Sequence, residues 1–386
     1  MVTGIDPHTG SGISVSIDKG VITEVTGCKN PENAWISAGL VDIQVNGFQG
    51  IDLNDGELSE NKLRQLANTL LQMGVTRFLP TLITASQSRL LQTLQVIGNA
   101  CDNHPLMAAT IPMIHVEGPF ISPEDGPRGA HPLEHVRAPS LQEVEQWQEA
   151  CGNRVGLITL SPHWNDSSAF IQALHRQGTR VALGHTHASH EQLRSAVDAG
   201  ASLSTHLGNG IAARLPRHPN PLWTQLADDR LKASFIADGY HLPRETLITM
   251  LRAKSHGRCL LVSDTAALGG MPAGRYSAAI GGEVELTANG RLSVADTPFL
   301  AGAAKPLPDG VAYCASLGNL SLGEALDMAS AHPGEYLNQP QSLSVGQIAD
   351  VIRFNWQPGD PTLKMTKVIK AGQLIIPSDK QKQVRC

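Results

Sequence analysis

The sequence of 386 residues is poor in charged side chains, in aromatic side chains and in uninterrupted apolar stretches. Charged residues make up 17% of the chain, and 30 basic against 35 acidic residues give a formal net charge of -5. Such a weakly acidic chain is not typical of nucleic-acid binding, and its 41% hydrophobic content is not typical of intrinsic disorder. No apolar run reaches the roughly 18 residues of a transmembrane helix. We therefore expect a folded protein without nucleic-acid or membrane partners.

The sequence also has no paired-cysteine motif, and we expect no leader segment. The six cysteines lie at positions 28, 101, 151, 259, 314 and 386, and none of them forms a CxxC pair. This spacing indicates neither a disulfide framework nor a cysteine zinc site. The first residues, MVTGIDPHTGSG, contain no basic stretch followed by an apolar core. We therefore expect a cytoplasmic protein with reduced thiols.

The sequence does contain a repeated alternation of strand and helix patterns. Apolar residues recur at helical spacing between Ser59, which suits an N-cap, and Gly74, which suits a helix end. Apolar strand patterns occur at residues 40–46, 75–82, 109–117, 155–161, 180–185, 201–206, 231–238 and 259–264. Eight buried strands alternating with helices predict a closed (β/α)8 TIM-like barrel in the α/β class, since closure removes the edges of an open sheet.

The two ends of the chain show a different pattern. Residues 11–27 and 365–377 alternate polar with β-branched side chains around Lys19-Gly20 and Ala371-Gly372, which is typical of hairpins. We predict a small β-sandwich domain formed by both chain termini, residues 1–38 and 345–386. The barrel domain is then residues 39–344, packed directly against it.

Reactive groups of a (β/α)8 barrel lie at the carboxyl ends of its strands. Glu117, His185, His206 and Asp264 end four of the predicted strands, and His241 follows the seventh. Two histidines and a carboxylate can hold a divalent metal and leave one coordination position for water. The alternative is that some of the 15 histidines lie at strand ends by chance, each with a hydrogen-bonding partner.

Six short motifs occur in one order along the chain: HVEGPFIS at 115–122, GAH at 129–131, LGHTHAS at 183–189, STHLGNG at 204–210, IADGYH at 236–241 and LVSDTA at 261–266. Together they resemble the N-acetylglucosamine-6-phosphate deacetylases of the amidohydrolase superfamily. The similarity covers nearly the whole chain. It implies a homodimeric, metal-dependent enzyme of amino-sugar metabolism that removes acetate from N-acetylglucosamine 6-phosphate.

The resemblance also implies roles for individual residues. It makes Glu117, His185 and His206 ligands of one divalent metal ion per subunit, and Asp264 the catalytic base and acid. His131 is implied to be catalytic next to the acetyl carbonyl, and Arg217 to bind the sugar phosphate from the neighbouring subunit. The substrate-binding set that the resemblance implies is Ala130, His131, Asn209, Gly210, Arg217, His241, Leu300, Ala301 and Gly302.

The first predicted strand bears on the number of metal ions. Many amidohydrolases have a His-x-His pair there for a second metal, whereas this chain has Gln44-x-Asn46. Amides are poor ligands for zinc, so we expect one metal ion. Zn²⁺ is the expected ion, and Fe²⁺, Co²⁺ or Mn²⁺ are alternatives for the same donor set.

The chain departs from the family pattern near the second metal histidine. It has GNG at 208–210 where the family commonly has YNA, and its 214–217 segment is atypical. His187 is an additional histidine that is either an exposed loop residue or a further ligand. These departures leave open another N-acyl substrate, such as N-acetylgalactosamine 6-phosphate or an N-acyl amino acid. A non-catalytic barrel that keeps its metal for folding is a second alternative.

Overall fold

A computed structural model describes residues 1–278, 282–297 and 299–376. In chain order its strands are β1 (Val2–Ile5), β2 (Gly12–Asp18), β3 (Val21–Gly27), β4 (Trp35–Ala38), β5 (Leu40–Val45), β6 (Gly47–Phe48), β7 (Ile51–Asp52), β8 (Val75–Ile83), β9 (Ile114–Glu117), β10 (Val155–Leu160), β11 (Arg180–Leu183), β12 (Ala201–Ser204), β13 (Lys232–Ile236), β14 (Cys259–Val262), β15 (Gly274–Ala278), β16 (Gly282–Leu286), β17 (Leu292–Val294), β18 (Val351–Asn355), β19 (Lys364–Lys370) and β20 (Gln373–Ile376).

The α-helices lie mainly between the strands of the central part of the chain. They are α1 (Glu60–Gln72), α2 (Gln87–Asn103), α3 (Pro105–Thr110), α4 (Leu141–Cys151), α5 (Ser167–Arg176), α6 (His190–Asp198), α7 (Pro221–Ala227), α8 (Arg244–Lys254), α9 (Leu307–Ser316), α10 (Leu322–Asp327) and α11 (Ala331–Tyr336). The predicted first helix is confirmed, because the Ser59 side chain caps it by accepting from the Lys62 amide. None of these helices combines the length and apolar character needed to cross a lipid bilayer.

Eight parallel strands form the predicted barrel, in the order β5, β8, β9, β10, β11, β12, β13 and β14. The circle closes where β14 meets β5: the Asp264 amide donates to the Gln44 carbonyl, and the Asn46 amide donates to the Thr265 carbonyl, both at 2.9 Å. Every residue of β8 is buried, as expected for a strand with the barrel interior on one face and helices on the other. The (β/α)8 barrel prediction is confirmed.

The predicted strand over residues 109–117 was wrong at its start. Residues 105–110 form helix α3, and the strand β9 begins only at Ile114. Pro105 stands at the start of α3, where its fixed φ favours a helix, and Met107 and Thr110 are buried at a helical spacing of three. A short apolar segment does not distinguish a buried helix from a strand by its pattern alone.

Strands from both ends of the chain form a seven-stranded sheet in the order β20, β19, β18, β4, β1, β2, β3. It has its own apolar core, which includes Val15, Ile22, Ile36 and Val351. Both predicted hairpins, β2–β3 and β19–β20, are present. Residues 377–386 of the predicted terminal domain lie outside the described residues. We propose boundaries after residues 38 and 344, because β4 ends in the terminal sheet and β5 begins the barrel.

A buried ion cluster joins the terminal sheet to the barrel. The Asp350 carboxylate lies 2.8 Å from Lys370 Nζ on β19 and 3.3 Å from Arg77 Nε on β8. All three side chains are less than one-tenth exposed. The cluster therefore fixes the sheet against the outside of the barrel through one shared carboxylate.

A three-stranded antiparallel sheet of β15, β16 and β17 follows the last barrel strand, and the sequence patterns did not predict it. Its strands contain three to five residues each and carry charged side chains, as in GEVEL at 282–286. Strands this short give too weak an alternation to be recognised. The sheet lies at the carboxyl end of the barrel, where it forms part of the cavity wall described below.

Candidate active site

Three predicted metal ligands meet at the carboxyl ends of neighbouring barrel strands. Glu117 ends β9, and His185 and His206 follow β11 and β12 by two residues. His206 Nε2 lies 3.0 Å from Glu117 Oε1 and 3.1 Å from His185 Nε2, and His185 Nε2 lies 3.4 Å from Glu117 Oε1. All three side chains are buried. Within the described ranges this is the one cluster of three such groups with a spacing that could hold a metal ion.

The donor atoms of this cluster fit a divalent ion. The Nδ1 atom of His185 lies 2.9 Å from the Pro127 carbonyl, to which it donates its proton, so its Nε2 keeps a lone pair. That lone pair faces Nε2 of His206 and a carboxylate oxygen of Glu117, with all donor atoms within 4.8 Å of one another. Two imidazole nitrogens and one carboxylate are a donor set of catalytic zinc sites with an open position for water.

The backbone is strained at the residues that carry the site. His185, His206 and Asp264 have φ angles of 48°, 29° and 50°, in the left-handed region that non-glycine residues seldom adopt. Each of the three comes two residues after the end of a barrel strand. The chain turns sharply at these points, as is common where a fold holds functional side chains in place.

The two amides of the first strand hold the two carboxylates of the site. Gln44 Nε2 donates to Glu117 Oε1 at 2.9 Å, and Asn46 Nδ2 donates to Asp264 Oδ1 at 2.7 Å. Burial, and then the negative charge of Glu117, raise the pKa of Asp264 to about 6. A carboxyl group with a pKa near neutrality can both accept and donate a proton at physiological pH.

His131 lies next to Glu117 and His185. Its Nδ1 is 2.8 Å from Thr84 Oγ1, its Nε2 is 3.9 Å from Glu117 Oε2, and its ring centroid is 4.3 Å from that of His185. Burial, followed by the proximity of His185, lowers the pKa of His131 to about 3. The imidazole is therefore neutral over the physiological range and carries a single N–H group.

His241 is held in the site by an acidic neighbour. Its Nδ1 lies 2.7 Å from Asp238 Oδ2, while the amides of Tyr240 and His241 donate to Asp238 Oδ1. Burial alone would raise the pKa of Asp238, but the hydrogen bond and charge of His241 keep it below its usual value. The Asp238 carboxylate thus fixes the ring of His241 through Nδ1.

A cavity of about 390 Å³ contains most of the predicted site. The metal cluster, Asp264 and eight of the nine predicted substrate-binding residues line it, and these eight are Ala130, His131, Asn209, Gly210, His241, Leu300, Ala301 and Gly302. The sequence patterns missed its apolar wall, which is formed mainly by Ala266, Leu268, Ala278, Val284, Leu292 and Phe299. Three of these residues, Ala278, Val284 and Leu292, belong to the unpredicted three-stranded sheet.

Arg217 is the predicted site residue that does not line this cavity. It is exposed in the 211–219 segment, as is Arg214, and neither guanidinium forms an ion pair within the part of the chain that the structure describes. The cavity itself has no lysine or arginine among its described lining residues. The exposed position of Arg217 is compatible with the expectation that it reaches the cavity of a neighbouring subunit.

His187 lies outside the metal cluster. Its Nδ1 is 2.5 Å from Ser122 Oγ, its Nε2 is 3.7 Å from Glu124 Oε1, and its ring centroid is 4.2 Å from that of His163. The side chain is about one-quarter exposed. His187 is therefore a loop residue with local partners, but it is partly buried and not the exposed residue of the first interpretation.

Comparison with known proteins assigns the chain to a family. The amidohydrolase family model matches residues 35–375. The chain is 29% identical to the N-acetylglucosamine-6-phosphate deacetylase of Bacillus subtilis (strain 168), over 83% of this chain and 81% of that protein. It is 31% identical to the deacetylase of that name from Danio rerio, over 89% of this chain and 85% of the relative.

Two further comparisons bear on the group within the family. An N-acetylgalactosamine-6-phosphate deacetylase of Escherichia coli O157:H7 is 30% identical, over 86% of each chain. A crystal structure of N-acetyl-D-glucosamine-6-phosphate deacetylase from Mycobacterium smegmatis matches with a TM-score of 0.86 and 25% identity, covering 97% of this chain and 98% of that one. The chain belongs to the amidohydrolase family and, as its motifs predicted, its relatives there are amino-sugar-phosphate deacetylases.

Proposed function

We propose that the protein hydrolyses the acetamide of N-acetylglucosamine 6-phosphate to glucosamine 6-phosphate and acetate. The observation that carries this proposal is the convergence of Glu117, His185 and His206 with Asp264 and His131 in one cavity. The names of most of the similar curated proteins support the same substrate. We also propose a cytoplasmic location, because the five cysteines in the described ranges form no disulfide.

Glu117, His185 and His206 would hold one divalent ion per subunit. When bound, such an ion lowers the pKa of a water molecule and polarises a carbonyl oxygen. Zn²⁺ is our choice because two imidazoles and one carboxylate are a usual zinc set, and Fe²⁺, Co²⁺ and Mn²⁺ remain compatible with the same donors. Gln44 and Asn46 engage carboxylates, which supports one ion rather than two.

Asp264 moves the proton in the proposed reaction. Its carboxylate accepts a proton from the attacking water as oxygen bonds to the acetyl carbon. It then gives that proton to the amide nitrogen as the C–N bond breaks, because an unprotonated amide nitrogen is a poor leaving group. The hydrogen bond from Asn46 holds one carboxylate oxygen in place during both transfers. His131 donates an N–H group to the carbonyl oxygen as negative charge develops on it.

The phosphate group requires a cation that the cavity of one chain does not supply among its described residues. We propose that two copies form a homodimer in which Arg217 of each copy reaches the cavity of the other. A guanidinium binds a phosphate dianion through charge-assisted hydrogen bonds. Within the same chain, His241 and the backbone of Asn209 and Gly210 line the cavity as further donors.

Acetate release tests the proposed activity. Purified, zinc-supplemented protein is given N-acetylglucosamine 6-phosphate, N-acetylgalactosamine 6-phosphate, unphosphorylated N-acetylglucosamine or an N-acetyl amino acid. We expect the highest kcat/KM for the first substrate. A preference for N-acetylgalactosamine 6-phosphate would make that compound the substrate in place of N-acetylglucosamine 6-phosphate. Turnover of the N-acetyl amino acid alone would contradict an amino-sugar substrate. Bound zinc without turnover of any substrate would favour the non-catalytic barrel.

A further inference from the structure

We infer that Thr84 is a positioning residue that fixes the tautomer of His131, so that its Nε2 carries the proton. The inference rests on the proposed function, in which His131 donates a hydrogen bond to the substrate carbonyl oxygen. Neither the sequence motifs nor the pattern of strand-end carboxylates and histidines assigned a role to Thr84.

Thr84 comes directly after β8, at the same end of the barrel as the metal cluster. Its side chain is buried, with Oγ1 2.8 Å from Nδ1 of His131. The neighbouring Gly118, with φ of 85°, leaves room for this hydroxyl, since a Cβ atom at that position would lie 2.2 Å from Thr84 Oγ1. The Thr84 hydroxyl is therefore closely packed against Gly118 and directed at Nδ1 of His131.

The hydrogen bonds of this pair determine where the protons lie. Thr84 Oγ1 has no other hydrogen-bond partner among the described residues. If Nδ1 of His131 carried the proton, the buried hydroxyl proton of Thr84 would have no acceptor, which is unfavourable. If Thr84 donates instead, both groups are satisfied. Nδ1 then accepts, and the ring carries its proton on Nε2.

This tautomer is the one that the proposed reaction needs. His131 lines the cavity, and its Nε2 lies toward Glu117, 3.9 Å from Oε2. With the proton on Nε2, the imidazole directs a donor at a developing oxyanion, and such donors stabilise acyl-transfer transition states. With the proton on Nδ1, the ring would direct a lone pair at the same oxygen and repel it. Thr84 thus acts on the reaction through His131 without touching the substrate.

Kinetics of three variants test this role. Thr84→Val keeps the shape and removes the hydroxyl, Thr84→Ser keeps the hydroxyl, and Thr110→Val is a matched control. Thr110 is equally buried, and its Oγ1 has no hydrogen-bond partner within the described ranges. We expect Thr84→Val to lower kcat on N-acetylglucosamine 6-phosphate about 10- to 100-fold with KM changed less than about threefold. Thr84→Ser should restore most of kcat, and Thr110→Val should match the wild type.

Nitrogen-15 NMR of histidine-labelled, zinc-loaded protein gives a readout that does not depend on turnover. The His131 signals are identified by their loss in His131→Ala. We expect the wild type to show a protonated Nε2 and a bare Nδ1, and Thr84→Val to show a mixture of both tautomers. A wild-type ring protonated on Nδ1, or an unchanged tautomer in Thr84→Val, would overturn the inference.

The two proposals fail in different ways. If the wild type releases no acetate from any amino-sugar substrate, the proposed function fails, while the spectra still decide the tautomer. If the wild type is active and Thr84→Val retains wild-type kcat, the positioning role of Thr84 is contradicted and the proposed function stands.

Discussion

Among the described residues, the buried clusters around Asp350 and around Glu117 are built in opposite ways. Around Asp350, opposite charges are paired: Lys370 Nζ and Arg77 Nε both approach Oδ2, and the Ala371 amide donates to Oδ1 at 2.8 Å. Around Glu117, two imidazole nitrogens approach the carboxylate and also approach each other to 3.1 Å. The first cluster is satisfied by its own members, whereas the second directs several donor atoms at a shared point.

The difference separates a structural cluster from a functional one. A carboxylate with two cations and an amide has all its interactions inside the fold, so its contribution is to hold the terminal sheet on the barrel. Converging lone pairs in a buried position are favourable when they share a cation. We therefore expect changes at the first cluster to alter stability, and changes at the second to alter metal content and turnover.

Of the substitutions considered, Asp264→Asn should have the largest effect, and it should change the activity but neither the stability nor the metal content. The amide cannot carry the proton from water to the leaving nitrogen, so we expect kcat to fall about 10²- to 10⁴-fold. Zinc content by elemental analysis and the melting temperature should stay near wild type, because Asp264 is not one of the three ligands. Wild-type turnover by zinc-loaded Asp264→Asn would remove Asp264 from the mechanism.

Asp350→Asn should instead destabilise the fold and spare the site. It leaves Lys370 and Arg77 buried without a full counter-charge, which should lower the free energy of unfolding by about 3–5 kcal/mol. The matched control is Asp198→Asn, which removes an exposed partner of Arg230 and should leave the free energy of unfolding near the wild-type value. Chemical denaturation measures both. Equal stability losses in the two variants would contradict the structural role of the Asp350 cluster.

The buried Asp42 should make stability depend on pH. Burial raises the pKa of its carboxyl from 3.8 to about 7, although the Ser263 and Gln44 amides donate to Oδ1. Between roughly pH 4 and 7 the folded chain keeps a proton that the unfolded chain releases, so stability falls as the pH rises through this window. The difference between a pKa of 3.8 and one of about 7 corresponds to a loss of at most about 4 kcal/mol in the free energy of unfolding.

Melting temperatures of wild type and Asp42→Asn at pH 5 and pH 8 check this expectation. The wild type should lose more stability than the variant between the two values, because the asparagine has no proton to release. Parallel changes in the two proteins would show that Asp42 does not contribute to the pH dependence.

Arg217→Met should have the smallest effect on the free-energy scale, and only on the phosphorylated substrate. Loss of one charge-assisted contact, about 1.5–3 kcal/mol, should raise KM for N-acetylglucosamine 6-phosphate about 10- to 100-fold. Arg214→Met, in the same exposed segment, is the matched control and should leave KM unchanged. An equal effect on unphosphorylated N-acetylglucosamine would argue against phosphate binding.

Mixing the high-KM variant Arg217→Met with the low-kcat variant Asp264→Asn tests whether Arg217 acts across subunits. In a mixed dimer of Arg217→Met and Asp264→Asn, one cavity has an intact Asp264 and faces an intact Arg217. Partial recovery of low-KM activity after co-refolding is expected. No recovery, with mixed dimers verified by mass, would contradict the proposed exchange.

The strand-end rule explains how much of the site was accessible from the sequence. Parallel barrel strands point the same way, so residues that close them must meet, and Glu117, His185 and His206 do meet. The same rule applied to the second strand would have indicated Thr84, which follows Ile83. The roles of Gln44 and Asn46 as hydrogen-bond donors to carboxylates were not predicted, because an amide pattern does not specify its partner.

Other features depend on contacts between distant segments. The apolar cavity wall includes Val284 and Leu292 from short strands whose pattern is weak. Residues 109 and 110 belong to the helix that starts at Pro105 and buries Met107, although the apolar pattern had placed them in the predicted strand 109–117. The Asp350 cluster combines β8 with the end of the chain. The local pattern of apolar and polar residues does not specify which distant segments form these contacts.

The seven-stranded sheet has a consequence for synthesis on the ribosome. Strands β1 to β4 emerge before the barrel, but their neighbour β18 starts at Val351, more than 300 residues after β4 ends at Ala38. At about 5–20 residues per second, the open edge of β4 and the apolar face around Val15 and Ile36 wait on the order of 15 to 60 s for their partners. Nascent chains of this protein should therefore be chaperone clients until β18 has been translated.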